Sequence, residues 1–490
     1  MKKIGLGDDG GCIEGDFDEW MGLIIDTIKE DADGLGLTSE IPSEVKEDET
    51  ITDVKEDTSP IRRLVPSKKY STIILNPAEG NVIRRDLFHL QGSSNNTFYS
   101  EKTCKLKVIG SELLTPDAGE SALHEIRISS KQDYANNDEN NSKEQLTYTT
   151  GDHVLLYPRN SETIVNAYVD LLGVDNPHAI ISNDNAESYP YPTGITIAET
   201  LSHCIDLGAL PSPSFSRMIL GRKDLDYIDE IANPRRTVID LCYEAGIRIS
   251  LEDLLHNATP MQPRYYSIAS SNIKHPAEIH LVFRPVHYMT TKGYLREGVC
   301  TSFMTYKGSS TKRGTACIPG VISSNPAFRL PEDTSTPIML VAGGCGVAPI
   351  RAFLEERIDL QSKGHDLGPA TLLLGFRNPE DAVYQDLIQK ALDVGALTTS
   401  EVVYSSGCDP LQYCQQMLVS DLVRQLGDHV WDHIDSGGHI YMCGGARLFG
   451  AAIETALLDI FQEKGNMDFD GGVKYLRDLA DNGQLSEDLA

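Results

Sequence analysis

With 490 residues, 40% of them apolar and 23% charged, the chain has the composition of a soluble globular protein too long for one hydrophobic core, so about two to four domains are expected. A formal net charge of -29 argues against general nucleic-acid binding, which needs a basic footprint. Ten cysteines are scattered without a C-x-x-C pair or metal-ligand spacing, which suits a reducing, cytosolic compartment with free thiols and no zinc site.

The chain begins with Gly5-Leu6-Gly7-Asp8-Asp9-Gly10-Gly11, which reads as a strand end turning through a glycine-rich acidic loop. A helix should follow, capped by Asp16 or Asp18, because Phe17, Trp20, Met21, Ile24 and Ile28 recur at steps of three or four. Residues 29–70 are acidic and poor in apolar side chains, the composition of a linker. No stretch approaches the roughly 18 apolar residues of a membrane helix, and Met1 to Asp9 lacks the apolar core of a signal peptide, so no membrane segment is expected in this chain.

Strand-like runs at Lys105 to Ile109, Leu123 to Ile128 and His153 to Tyr157, broken by a polar insertion around Gln132 to Asp138, begin an antiparallel barrel or sheet. Residues 161–255 carry helical periodicity, as in Thr163 to Leu172 and Thr237 to Cys242, and read as a helical insertion. The strands resume at Arg264 to Ser270 and Ile279 to Val286. After Thr336 strands alternate with helices, the pattern of a parallel sheet with crossover helices. The expected strands are Ile338 to Val341, Ala370 to Leu374, Val402 to Tyr404 and His439 to Met442. The expected helices are Ala348 to Ser362, Val383 to Leu392, Gln412 to Leu426, Leu448 to Lys464 and Gly472 to Asn482.

Four stretches carry candidate chemistry. In Arg264-Tyr265-Tyr266-Ser267-Ile268-Ala269-Ser270-Ser271 the tyrosines point to opposite faces, and Arg264 shares a face with Tyr266. The segment is either an ordinary half-buried strand or a place where a guanidinium meets a diphosphate and a phenol ring meets a flat ligand. Gly298-Val299-Cys300-Thr301 stands at an apparent helix start, where the helix dipole favours an anion. Val341 to Ile350 runs strand, glycine-rich turn, Pro349 and helix, the order that dinucleotide binding needs. Tyr441-Met442-Cys443-Gly444-Gly445-Ala446 repeats the strand-to-glycine transition, with Cys443 readable as a small buried hydrophobe.

Together these stretches, with Gly151-Asp152-His153 to Pro158 and Gly375 to Tyr384, resemble the diflavin reductases from Thr103 onward, roughly four-fifths of the chain. The likeness is strongest to the NADPH-haemoprotein reductases. It implies an antiparallel FAD-binding β-barrel (71–160 and 256–330) with a helical connecting insertion (161–255). A doubly wound, parallel-sheet NAD(P)H-binding domain (331–490) of the ferredoxin-NADP reductase type would follow, giving a multidomain α/β plus β protein. Residues 1–28 look like the C-terminal remnant of the family's flavodoxin-like FMN domain. Asp9 would belong to its FMN site, while the rest of that site and the family's membrane anchor are expected to be absent.

The resemblance further implies that Arg264 binds the FAD diphosphate and Tyr266 stacks on the isoalloxazine, with Tyr265 beside it. Val282, Phe283, Arg284 and Tyr288 would line FAD, and Gly298, Val299, Cys300 and Thr301 would cradle its diphosphate. Ser267, Cys443 and Asp488 would assist hydride transfer from the nicotinamide, the carboxylate favouring the positive ring that forms. Arg377 would serve the nucleotide diphosphate. Ser405, Tyr413 and Gln415 match the family's 2′-phosphate site.

Three positions depart from the family. Ala490 stands where an aromatic covers the flavin, so nicotinamide access should be easier. Ser406 and Leu411 stand where an arginine and a lysine are expected. Since each charge-assisted hydrogen bond is worth about 1.5 to 3 kcal/mol, specificity should be relaxed or lean toward NADH. Cys345 replaces a threonine in the glycine-rich turn. The expected function is an FAD oxidoreductase that takes hydride from NAD(P)H and passes electrons to FMN or a separate flavodoxin-like domain, then to a cytochrome or other haemoprotein. The alternatives are a sulfite, methionine synthase or iron-sulfur assembly partner as acceptor, or a noncatalytic remnant.

Overall fold

The computed structural model describes residues 62–63, 72–75, 103–116, 122–129, 146–183, 191–192, 194–309, 316–406 and 416–489. The flavodoxin-like stretch with Asp9, most of the acidic linker, the insertion at 132–138, Leu411, Tyr413, Gln415 and Ala490 lie outside the described residues.

The first elements are β1 (Arg62–Arg63), β2 (Thr72–Leu75), β3 (Cys104–Leu113), β4 (His124–Ser129) and β5 (His153–Leu156). Next come α1 (Glu162–Leu172), β6 (Ile180–Asn183), α2 (Ile197–His203), α3 (Pro213–Leu220), α4 (Val238–Ala245), β7 (Ile247–Arg248) and α5 (Leu251–Asn257). The helices close on their own core around Tyr168, Phe215 and Leu241. Their ends are set by side chains: Thr196 and Glu199 form a reciprocal capping box on α2, and Gly173, Gly221 and Gly246 end α1, α3 and α4 in left-handed conformations. The region expected to be helical also holds β6, antiparallel to β2, and β7, parallel to β1. Short strands whose partners lie far back in the chain leave no local signature.

The chain then returns through β8 (Arg264–Ser267), β9 (Glu278–Phe283), a hairpin of β10 (His287–Met289) and β11 (Leu295–Glu297), α6 (Val299–Ser309) and β12 (Cys317–Ser323). Six strands form an antiparallel sheet in the order β8-β5-β12-β3-β4-β9. Alternation aims Leu106, Val108, Ile126, Ile128, Val154 and Leu156 into one core with Phe303 and Met304 of α6. Just past β8, Ile268 pairs with Leu281 of β9, so the two outer strands of the sheet meet.

The last third contains β13 (Ile338–Gly343), α7 (Val347–Ser362), β14 (Ala370–Phe376), α8 (Gln385–Asp393), β15 (Thr399–Tyr404), α9 (Val419–Gln425), α10 (Gly427–Asp435), β16 (His439–Gly444), α11 (Ala451–Glu463), α12 (Phe469–Asp481) and β17 (Leu485–Leu489). Five strands lie parallel in the order β15-β14-β13-β16-β17, with a core on each face. The helix expected over Gln412 to Leu426 starts only at Val419 among the described residues. Gln416 is bridged to Tyr404, and the Met417 N–H donates to the Tyr404 carbonyl at 2.9 Å, so strand pairing claims that backbone first. Strand β17 and helix α10 are additional to the expected elements. No helix among the described residues is long and apolar enough to cross a membrane.

The two sheets share a core: Leu123, Ala269 and Val282 of the antiparallel part pack with Ile338, Leu340, Phe353 and Tyr441 of the parallel part. Beside it runs a buried charge network. Arg351 on α7 donates to Glu125 on β4 at 2.6 Å and to His280 Nδ1 on β9 at 3.0 Å. Burial lowers the His280 pKa, so the ring is neutral, and its Nε2–H donates to Glu278 at 2.9 Å. Glu355, one turn beyond Arg351, accepts from the Ser271 N–H at 3.1 Å and from Lys274 at 2.9 Å.

Burial alone would raise the Glu355 pKa, but His275, Arg351, Ser271 and Lys274 outweigh it and bring it from 4.5 to about 2. A carboxyl depressed in this way stabilises the fold above its unfolded pKa of 4.5 and loses that effect as pH falls toward 2. Glu355→Gln is therefore expected to cost about 3 to 5 kcal/mol at neutral pH and to flatten the fall in stability between about pH 5 and 2. Urea melts followed by Trp431 fluorescence across that range test this, and equal slopes for variant and parent exclude it.

Candidate active site

The seven cysteines among the described residues are all free, and Cys443 is buried in β16 at 4% exposure. Register places Cys443 between Ala342 on β13 and Asp488 on β17. The Asp488 carboxylate leaves the parallel sheet and meets the antiparallel one. Its Oδ2 accepts from the Ser267 hydroxyl at 2.6 Å and lies 3.9 Å from the Cys443 thiol, which donates to it. Its Oδ1 is 2.8 Å from His153 Nε2. The three residues expected to act on hydride are thus brought together from β8, β16 and β17. Burial, then the Asp488 charge and Cys345, push the Cys443 thiol well above its usual pKa, so it stays protonated.

His153 was not expected in this cluster. It opens β5 directly opposite Ser267, and Asp488 holds both. The signal lay in Gly151-Asp152-His153. Gly151 has φ +94°, and a Cβ there would come within 1.9 Å of the Phe328 carbonyl oxygen, so the turn admits only glycine. Asp152 ion-pairs with Arg329 and accepts from the Asn325 N–H at 2.9 Å, fixing the strand that carries His153.

Along β8, Arg264 opposes Leu156 and Tyr266 opposes Val154. Tyr265 faces the other way, 36% exposed, with its ring edge-on to His153 at 6.1 Å. Tyr266 is half-buried against the inner core. Arg264 donates to Asp206 at 2.9 Å and to the Gln262 carbonyl at 2.7 Å. Asp206 belongs to the helical part and was also missed, since no spacing links it to Arg264. Val282 and Phe283 are spent on the two cores, which leaves their backbone to line a ligand. Tyr288 on β10 lies under the Arg235 guanidinium at 5.4 Å.

Gly298 precedes α6, and its N–H donates to the Val286 carbonyl at 2.7 Å. Val299 opens the helix. Cys300 and Thr301 are buried in its first turn, and the Thr301 hydroxyl accepts from the Val286 N–H at 3.1 Å. The positive end of the helix therefore stands at a turn of fixed shape, where an anionic group fits. In the parallel part, Gly344 to Gly346 form the tight turn between β13 and α7 and include the half-buried Cys345. A Cβ on Gly346 would lie 2.0 Å from the Cys443 carbonyl oxygen, so this glycine lets the turn and β16 approach. Arg377 is exposed after β14. Its carbonyl accepts from the Ser406 N–H at 2.8 Å and hydroxyl at 3.1 Å, and the Ser405 N–H donates to the Phe376 carbonyl. The Ser406 hydroxyl is thus already engaged by backbone.

The arrangement suits two ligands that meet face to face. A flat ring along Tyr266 and Ser267 and a dinucleotide on the Gly344 turn would converge on Asp488. The orphaned Nε of Arg284 and the glycine turn that no side chain fills fit an anionic dinucleotide.

Residues 225–303 match the FAD binding domain model, and residues 340–454 match the Oxidoreductase NAD-binding domain model. The curated relatives include NADPH–cytochrome P450 reductase from Sus scrofa, 29% identical over 374 residues, and its counterpart from Homo sapiens, 28% identical over 373. Each alignment covers 71% of this chain and 54% of the relative, so the chain spans about half the length of the curated relatives it matches. With matches to an FAD-binding and an NAD-binding domain in that order, the chain is similar to the diflavin reductases over those regions.

Proposed function

We propose that the chain is an FAD-dependent oxidoreductase that takes hydride from NADPH or NADH and hands electrons to an acceptor protein. The observation that carries this reading is the Asp488 carboxylate, held by the parallel sheet yet bonded to Ser267 of the antiparallel one. When bound, FAD supplies a ring that accepts hydride from a reduced nicotinamide and releases electrons one at a time. In this reading the antiparallel sheet closes as the FAD barrel (71–160 and 256–330), the helices of 161–255 connect it, and 331–490 bind the nucleotide. Residues 1–28 and Asp9 would be the edge of an FMN domain, the acceptor a haemoprotein, and the setting the cytosol.

The residues divide the work. Asp488 places negative charge beside the nicotinamide and so favours its oxidised, positive form. Ser267 Oγ keeps its proton directed at Asp488 Oδ2 and can turn it to a ring nitrogen. His153 Nε2 occupies the second carboxylate oxygen, which fixes the carboxylate plane. Cys443 supplies a small neutral side chain that lets a ring approach closely. Arg264, steadied by Asp206, faces a diphosphate, and the half-buried Tyr266 offers a ring to stack on.

Purified protein loaded with FAD is expected to bleach when NADPH or NADH is added without oxygen, and Ser267→Ala to slow that bleaching about 100-fold at unchanged flavin content. Failure to retain FAD, or no bleaching with either nucleotide, overturns the reading. Ser406→Arg is expected to shift the affinity ratio toward NADPH by roughly 10- to 100-fold. Titration of both oxidised nucleotides measures that shift, and an unchanged ratio places the 2′-phosphate elsewhere.

A further inference from the structure

Arg284 follows β9 and projects from the antiparallel sheet onto the glycine-rich turn of the parallel domain: a Cβ on Gly344 would lie 3.5 Å from its Nη2. Its Nε is buried with no hydrogen-bond partner, and among the described residues it makes no ion pair. A guanidinium cannot shed its charge. To leave one half-buried without a carboxylate, in a chain of net charge -29, is unfavourable unless an anion completes the site.

Two neighbouring features say where that anion sits. Gly344 has φ +56° and carries no side chain, so only a space of side-chain size separates its backbone from the guanidinium, whose Nη2 is 3.5 Å from where a Cβ would sit. The sixteen-residue helix α7 begins directly after the turn, with its positive end toward the same space. Arg351, in the second turn of α7, is already committed to Glu125 and His280, whereas Arg284 makes no ion pair among the described residues.

We infer that Arg284 reaches across the domain junction to bind the diphosphate of the nicotinamide dinucleotide on the Gly344 turn. This rests on the proposed function and reassigns Arg284 from lining FAD to gripping the second ligand. The diphosphate is common to NADPH and NADH, so the contact strengthens both alike. It gives the chain a source of affinity that does not depend on the cations replaced by Ser406 and Leu411. It also makes the nucleotide a bridge between the sheets, since α7 and Arg284 belong to different domains.

The test is calorimetric titration of FAD-loaded protein with NADP⁺ and with NAD⁺, comparing parent, Arg284→Ala and Arg284→Lys. The expected result is a Kd raised about tenfold or more for both nucleotides in Arg284→Ala, equally for each, with FAD content unchanged and partial recovery in Arg284→Lys. An unchanged Kd, a loss confined to NADP⁺, or release of FAD by folded Arg284→Ala overturns the inference while leaving the proposed function standing. A parent protein that binds neither nucleotide overturns both.

Discussion

The structure depends on one buried cation. Arg351 sits on the first helix of the nucleotide-binding sheet, yet its hydrogen bonds run to Glu125 and His280 on strands of the other sheet. Burial works against its charge, but Tyr384, Glu125 and Glu355 outweigh burial and keep it protonated. Tyr384 completes the set, with its ring 5.0 Å from the guanidinium and its hydroxyl donating to Glu125 at 3.1 Å. A buried ion pair adds little net stability over an apolar substitute, but it penalises any arrangement that separates its members. Here that penalty fixes register: α7 cannot slide against β4 and β9 without exposing an unpaired charge to the shared core.

That register determines the chemistry. The Gly344 turn precedes α7, so the network that anchors the helix also sets where a dinucleotide can lie relative to β8. At the opposite end of the junction, Asp488 closes the same seam by bonding Ser267 and His153. Between the two polar clusters the junction is apolar, with Phe328, Phe353 and Tyr441 packed ring to ring at 5.3 to 5.5 Å. Polar ends with a dry middle make the seam specific in orientation as well as cohesive.

Much of this was legible in the sequence, for identifiable reasons. The parallel sheet announced itself because its central strands are continuous apolar runs and its turns are glycine-rich, both local properties. Ser267, Cys443 and Asp488 could be named because the motifs that hold them match a family in order and spacing, although nothing in their own neighbourhoods shows that they meet. What escaped is what depends on pairing at a distance. Strand β17 was missed because Leu485 to Leu489 is short and partly acidic, and only β16 makes it a strand. Asp206 and Arg351 were missed as functional groups because each looks like an ordinary charge until its partner is in place. Gln416 and Met417, expected to be helical, pair with Tyr404 instead, a contact that nothing in their own neighbourhood announces.

Cys443 shows what the seam does to reactivity. Its sulfur lies beside the position proposed for hydride transfer, where oxidants would be expected to do most harm. Oxidation of cysteine proceeds from the thiolate, and burial together with the adjacent carboxylate holds this sulfur as a thiol. The same carboxylate that orients Ser267 thus also passivates the nearest sulfur.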